Sequence, residues 1–252
     1  MNLIRSELLR MSSRRMVRVF AVLALTGSAV GVTIAAINSH PESQLQLFSL
    51  PSLLRGTSFI VFVMGLVIGG SSVGADWQYG TMAALLTWEP RRVRVFFTRV
   101  GVVLIFVFVL AVVLQVAFSM MLAAAASLRG GTGETGDAWL RDVAGTTLRI
   151  GIATTLGATL GATMAMIGRN TAAALGVAFG YLAIAESLLR GLLPKISSAL
   201  FSTNVVVFID GKAGTSETGS SISVGRASVT LALYAGVLIV VALTLFRTRD
   251  VT

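Results

Sequence analysis

No cysteine occurs in the chain, which excludes disulfides, thiol catalysis, cysteine-ligated zinc and iron–sulfur clusters together. The single histidine, His40, lies in a connecting segment, so no histidine-built metal site or proton relay is expected. Charge is scarce too: 12% of the 252 residues are charged, 55% are hydrophobic, and the mean hydropathy is +0.85. Soluble domains carry about 25% charged residues, so the chain reads as an all-α integral membrane protein. Its formal charge of +9 arises from membrane topology as readily as from an anionic partner, and no nucleic-acid partner is expected. The phosphate-cradling pattern G-x-x-x-x-G-K-[ST] is missing. The only Gly-Lys pair, Gly211-Lys212, is followed by Ala213 and has no upstream glycine at the required spacing. No Ser–His, paired-acid or metal-ligand constellation stands out either, so the chain is not read as an enzyme and no catalytic or metal residue is named.

What is present is long apolar sequence. A spanning helix needs about 20 mostly apolar residues, and six stretches qualify: 17–37, 57–73, 100–126, 144–167, 172–189 and 228–246. They form one transmembrane domain over 1–252. The second stretch is short and glycine-rich (Gly65, Gly69, Gly70), and the fourth carries Gly157 and Gly161 at the spacing that lets helix backbones approach closely. The basic residues before the first run imitate a secretory signal. That run, however, is longer than the usual ~7–15 residues of a signal core and five more follow, so it is read as a retained anchor.

With an inner amino terminus, the inner segments hold twelve basic and four acidic residues, the outer ones eight and seven. The positive-inside rule therefore favours both termini in the cytoplasm of a multi-pass protein of the plasma membrane, with a bacterial one expected. Upstream, Met1, Ile4, Leu8 and Met11 recur at helical spacing. Residues 1–16 are thus expected to form an amphipathic helix in the inner interface, the alternative being a solvated basic tail.

Between the second and third spans stands GADWQYGTMAALLTWEPRRVRVFFTR, residues 74–99. Asp76 is a candidate helix N-cap; Met82, Leu85 and Leu86 share one face, and Pro90 ends the segment. A helix too short to span must rest on headgroups or on another protein. Trp77 and Trp88 suit the first, since an indole is apolar in body and polar at its tip, and the residues alone leave both open.

The pattern G-x-D-W-x-Y-G-T-x-x-x-L-L-T-x-x-P-R-R-x-R, from Gly74 to Arg94, resembles the first cytoplasmic loop of permease subunits in the type-2 ATP-binding-cassette (ABC) exporter family. The ending Leu245-Phe-Arg-Thr-Arg-Asp250 is similar to that family's close. Two positions depart: the family acid is usually glutamate where Asp76 stands, and a lysine often stands at Arg99; both keep the charge. The resemblance implies a separate ATP-hydrolysing subunit, which would hold ATP and magnesium, and a second permease copy or paralogue completing a dimer. It implies that 76–90 is a coupling helix docked on that ATPase. Asp76, Gly80, Thr81, Leu85, Leu86, Pro90, Arg91, Arg92 and Arg94 are then the docking residues, with Gly80 and Thr81 starting the helix and Leu85 and Leu86 on its buried face. The substrate path would lie between protomers, lined by the second and fifth spans. A hydrophobic or amphipathic substrate would leave the cell by it.

On the outer side, 192–209 (LLPKISSALFSTNVVVFI within it) is too apolar for a free loop, yet Pro194, Lys195 and Asn204 interrupt it. Short outer re-entrant helices are expected, the rival being a seventh span. Arg149, Glu186 and Arg190 enter the membrane edges, where Glu186 is expected to pair structurally with Arg190 or Arg149 rather than serve as a substrate or proton site. The rival functions are an ion-coupled carrier, for which no span holds a central acid, and a non-transporting membrane assembly protein.

Overall fold

The computed structural model describes residues 3–37, 47–88, 91–129, 135–215, 219 and 221–248. It is a multi-pass membrane protein, helical almost throughout, with six helices long and apolar enough to cross a bilayer. Helix α1 (Leu3–Ser13) precedes α2 (Arg15–Ile37), the first span. The second and third spans are α3 (Leu50–Gln78) and α5 (Arg92–Arg129), with the short α4 (Thr81–Trp88) between them. Helix α6 (Asp137–Gly168) is the fourth. The fifth is composite: α7 (Thr171–Phe179), a π-helical turn (Gly180–Ala185) and α8 (Glu186–Leu192). A 3₁₀ turn (Pro194–Ala199), α9 (Phe201–Asp210) and a two-stranded hairpin, β1 (Gly214–Thr215) with β2 (Ser221–Ile222), lead to α10 (Val224–Thr248), the sixth span. Helices satisfy their own backbone groups, which is what hydrocarbon demands.

The helices overrun the apolar stretches. The second span runs from Leu50 to Gln78 rather than over 57–73, because its ends are sheltered by protein and tolerate polar residues. At the bundle's centre α3 and α6 run parallel. Gly65 lies against Thr154, Gly69 against Ala158, Gly157 against Phe62, and Gly161 against Leu66 and Gly70. The four-residue glycine spacing is thus a real backbone contact between these two helices, made possible by the absent Cβ atoms. The second span is consequently buried among its neighbours, while the fifth and sixth leave broad faces outward.

One end of the bundle gathers α1, the end of α3, α4, the starts of α5 and α7, and the ends of α6 and α10. The described chain therefore starts and finishes at the same end. The rival seventh span is corrected: α9 has 10 residues, about 15 Å, half of what a crossing needs. It folds back on the bundle instead, with Phe201 packed on Phe62 and Tyr234. Met1, His40, Pro90, Arg249 and Asp250 lie outside the described residues.

The expected apolar face of α1 is also revised. Met11 is buried but Leu8 is exposed, and Glu7 is turned into the protein with Arg10. Ion pairing, rather than hydrophobicity alone, orients this helix.

Candidate functional site: a buried charge cluster beneath the short helix

Asp76 is not the N-cap of the short helix. It sits two residues before the end of α3, and the turn that follows is made by Tyr79 and Gly80, whose φ of 68° lies in the left-handed region open to glycine. The chain thereby reverses and α4 starts at Thr81, later than a helix over 76–90 would, because 76–78 belong to α3. Thr81 donates from Oγ1 to the Asp76 carbonyl at 3.1 Å, so the first turn of α4 is fastened to the last turn of α3.

The Asp76 carboxylate is only 3% exposed and is the hub of an ion-pair network. Arg10 reaches it from α1, Nη1 to Oδ1 at 2.6 Å and Nη2 to Oδ2 at 3.2 Å, a two-pronged contact of the strong kind. Arg99, 5% exposed on α5, donates from Nη1 to Oδ2. Arg14, between α1 and α2, lies 3.7 Å from Oδ1 and donates to the carbonyls of Ser71 and Ser72 at 3.1 and 3.2 Å. Glu7 balances the positive charge, 2.8 Å from Arg10 and 3.7 Å from the Arg99 Nε. Three arginines against two acids bind α1, the α1–α2 junction, α3 and α5, with α4 attached through Thr81.

The surroundings shift the arginines outside the spans. Burial acts to lower the Arg10 pKa, but the hydrogen bond and charge of Asp76, with Glu7 behind them, outweigh it and raise Arg10 above its ordinary value. Burial lowers Arg14, helped by the charge of Arg10 and opposed by Asp76.

The remaining expected docking residues are placed as follows. Leu85 and Leu86 are half-buried against a cluster of this chain's own core that holds Val73, Phe96, Phe246 and the buried Met82 of α4 itself. The exposed side of α4 carries Thr81, Ala84 and Thr87, continued by Tyr79. Arg91 and Arg94 are exposed. Arg92 donates to the Phe246 and Arg247 carbonyls at 3.3 and 3.1 Å, satisfying orphan acceptors at the end of α10. Nearby, Arg169 stacks 4.8 Å over the Trp77 ring, and Asn170 caps α7 by accepting from the amides of Ala172 and Ala173.

The membrane-edge charges lie at the opposite end. Glu186, 1% exposed, accepts from the amides of Phe201 at 2.9 Å and Ser202 at 3.0 Å, and so caps α9. Its carboxylate meets the positive end of a helix, where an anion is stabilised. Arg190 donates to Ser202 Oγ at 3.0 Å, and the Arg149 guanidinium occupies the space beside Gly211. Replacing Glu186 by Ala leaves two amides without their acceptor, a loss of about 1–3 kcal/mol. Backbone hydrogen exchange of Phe201–Asp210 should then quicken about tenfold or more, while amides in α6 keep their protection.

Sequence reading missed Arg10, Arg14 and Arg99 as partners of Asp76, Glu7 as the second acid of that cluster, and the Arg55–Asp142 ion pair at 3.0 Å on the far end. The usable signal was scarcity. With so few acids in so apolar a chain, each acid at a span end invites a partner. Among the described residues no group of three or more acids or histidines could hold a metal ion.

The family described as "Protein of unknown function (DUF2705)" matches residues 17–252, from the start of the first span onward. No curated protein matches the chain.

Proposed function

This chain belongs to the DUF2705 family, and for it we propose the role of transmembrane permease subunit in an ATP-driven exporter of the type-2 ATP-binding-cassette class. The observation that carries the reading is the charge cluster beneath α4. A push on α4 from outside has a stiff route inward. It passes through the Tyr79–Gly80 turn and Thr81 to Asp76, and thence to α1 through Arg10 and to α5 through Arg99. The loop pattern from Gly74 to Arg94 points the same way.

In this reading a separate subunit binds ATP with magnesium and seats α4 in a cleft, with the cluster's end of the bundle facing the cytoplasm. Its contacts fall on the exposed Tyr79, Thr81, Ala84 and Thr87, with Arg91 and Arg94 at the rim. Leu85 and Leu86 hold α4 to its own bundle instead. A second copy or a paralogue would pack against the outward face of the fifth span, where Val177, Ile184 and Leu188 are exposed. The route of a hydrophobic or amphipathic substrate would run along that seam.

Charges on the exposed face of α4 test the reading. An Ala84→Asp, Thr87→Asp double variant should keep the wild-type melting temperature while the amount of co-purifying ATPase falls about tenfold or more, as for a central contact. Vanadate-sensitive transport into inverted vesicles should fall with it. Undiminished retention of an ATPase chain would remove α4 as the docking surface, and transport driven by an ion gradient without ATP would replace the reading with a carrier.

A further inference from the structure

Between α2, α3 and α5 lies a cavity of about 370 Å³, within the range of small-ligand sites. Its walls are mostly apolar (Ala24, Val32, Val61, Phe118 and Leu122 among them), the polar side chains being Ser28, Thr57 and Gln115. Gln115 of α5 is 2% exposed, and its Nε2 has no hydrogen-bond partner. The Thr57 hydroxyl stands 3.5 Å from the amide oxygen and already donates to the Leu54 carbonyl at 2.9 Å, and the Ser28 hydroxyl donates to the Ala24 carbonyl at 2.6 Å. Exchanging the amide's N and O positions would still leave one end without a partner. A buried amide N–H without an acceptor in hydrocarbon surroundings is costly. It is accounted for if an acceptor arrives from outside.

What can arrive follows from position. Leu23, Leu53 and Ile60 at the mouth are exposed on the outer perimeter of spanning helices, so the cavity opens toward lipid. Gln115 lies sixteen residues beyond Arg99 of the charge cluster, about 24 Å along the helix. In a hydrocarbon layer of about 30 Å, that is near the opposite boundary, where the ester carbonyls of phospholipids begin. We infer that this cavity binds one phospholipid acyl chain, whose ester carbonyl accepts from the Gln115 side chain. The inference does not depend on the exporter reading.

The glycines offer a clean way to test it. A Cβ at Gly27 or Gly31, both in the cavity wall, would meet nothing within 4 Å, so a longer side chain can leave the helix there and take up cavity space, and leucine also improves the helix. The full chain is placed in nanodiscs of ester phospholipid with a trace of phospholipid bearing a photoreactive diazirine in its acyl chain, and adducts are mapped by peptide mass spectrometry. Adducts on 23–32 and 114–122 should exceed those on the exposed Val229, Leu233 and Val237 of α10, which report ordinary surrounding lipid. In Gly27→Leu and in Gly31→Leu, separately, the cavity adducts should drop to the α10 level while the α10 adducts stay constant. With an ether-linked probe, which has no carbonyl, wild-type cavity labelling should be about fivefold weaker, the worth of one hydrogen bond. Gln115→Leu should erase that preference. Equal labelling of cavity and α10, indifference to the filling leucines, an ester preference surviving in Gln115→Leu, or cavity crosslinks to a second copy of the chain would each overturn the inference.

Discussion

Asp76→Asn should destabilise the protein by about 3–5 kcal/mol, the usual consequence of removing one partner from a buried charge pair. Arg99 is almost fully buried on α5, and with Asp76 neutral its remaining counter-charge is Glu7 at 3.7 Å. Arg10 and Arg14 would then crowd the same space with their attraction to Asp76 gone. The expected result is a large drop in thermal midpoint in detergent together with loss of hydrogen-exchange protection in α1, whose inward orientation rests on Arg10 and Glu7. Asp76→Glu keeps the charge and should recover most of the loss. A double-mutant cycle between Arg10→Ala and Asp76→Asn isolates their pairwise contribution. If Asp76→Asn changes stability by less than about 1 kcal/mol, the cluster behaves like a solvated surface pair, and its role as a stiff joint between α1, α3 and α5 is refuted.

The second large effect concerns the glycines between α3 and α6. A methyl group at Gly161 would run into the Leu66 carbonyl and come within 2.7 Å of the Gly70 amide nitrogen, and one at Gly69 would overlap the Ala158 backbone. Backbone on both sides cannot step aside as a flexible side chain can, so the helices must separate. Gly161→Ala and Gly69→Ala should each lower stability by about 1–3 kcal/mol or more, although alanine is the better helix former. Gly101→Ala and Gly176→Ala are the matched controls, because a Cβ there meets nothing within 4 Å. Those two should be neutral or stabilising by up to about 1 kcal/mol. Equal behaviour of the two pairs, read from thermal melts in one detergent, would contradict the close approach of α3 and α6.

Both predictions rest on pairings that one-dimensional patterns convey poorly. Gly157 and Gly161 have a spacing suggestive of contact, yet nothing along the chain says that the partner is Phe62 and Leu66 rather than lipid or a second copy. Asp76 looked like a cap because an acid before a short helical run commonly is one. The structure gives it a different task because Arg10 and Arg99, 66 and 23 positions away, fold over it. Arg92 reads as a surface charge in a basic run, and its use as a cap for α10 needs a helix end that is 154 residues distant. Leu85 and Leu86 were legible as an apolar face, but the face alone could not tell whether the chain's own core or another subunit covers it.

The sequence by itself determined the class, the six spanning helices, a short helical segment between the second and third of them, and the interrupted apolar segment before the last span. These follow from local quantities: apolar length against bilayer thickness, helical periodicity, and residues whose backbone preferences stop a helix. Only the tertiary structure decided which helix lies inside, which charge neutralises which, where α4 turns its leucines, and that Gln115 faces an apolar cavity with its amide nitrogen unpaired. In hydrocarbon every helix is locally content, and close packing together with the need to partner each buried polar group selects among arrangements that the chain's patterns leave equivalent.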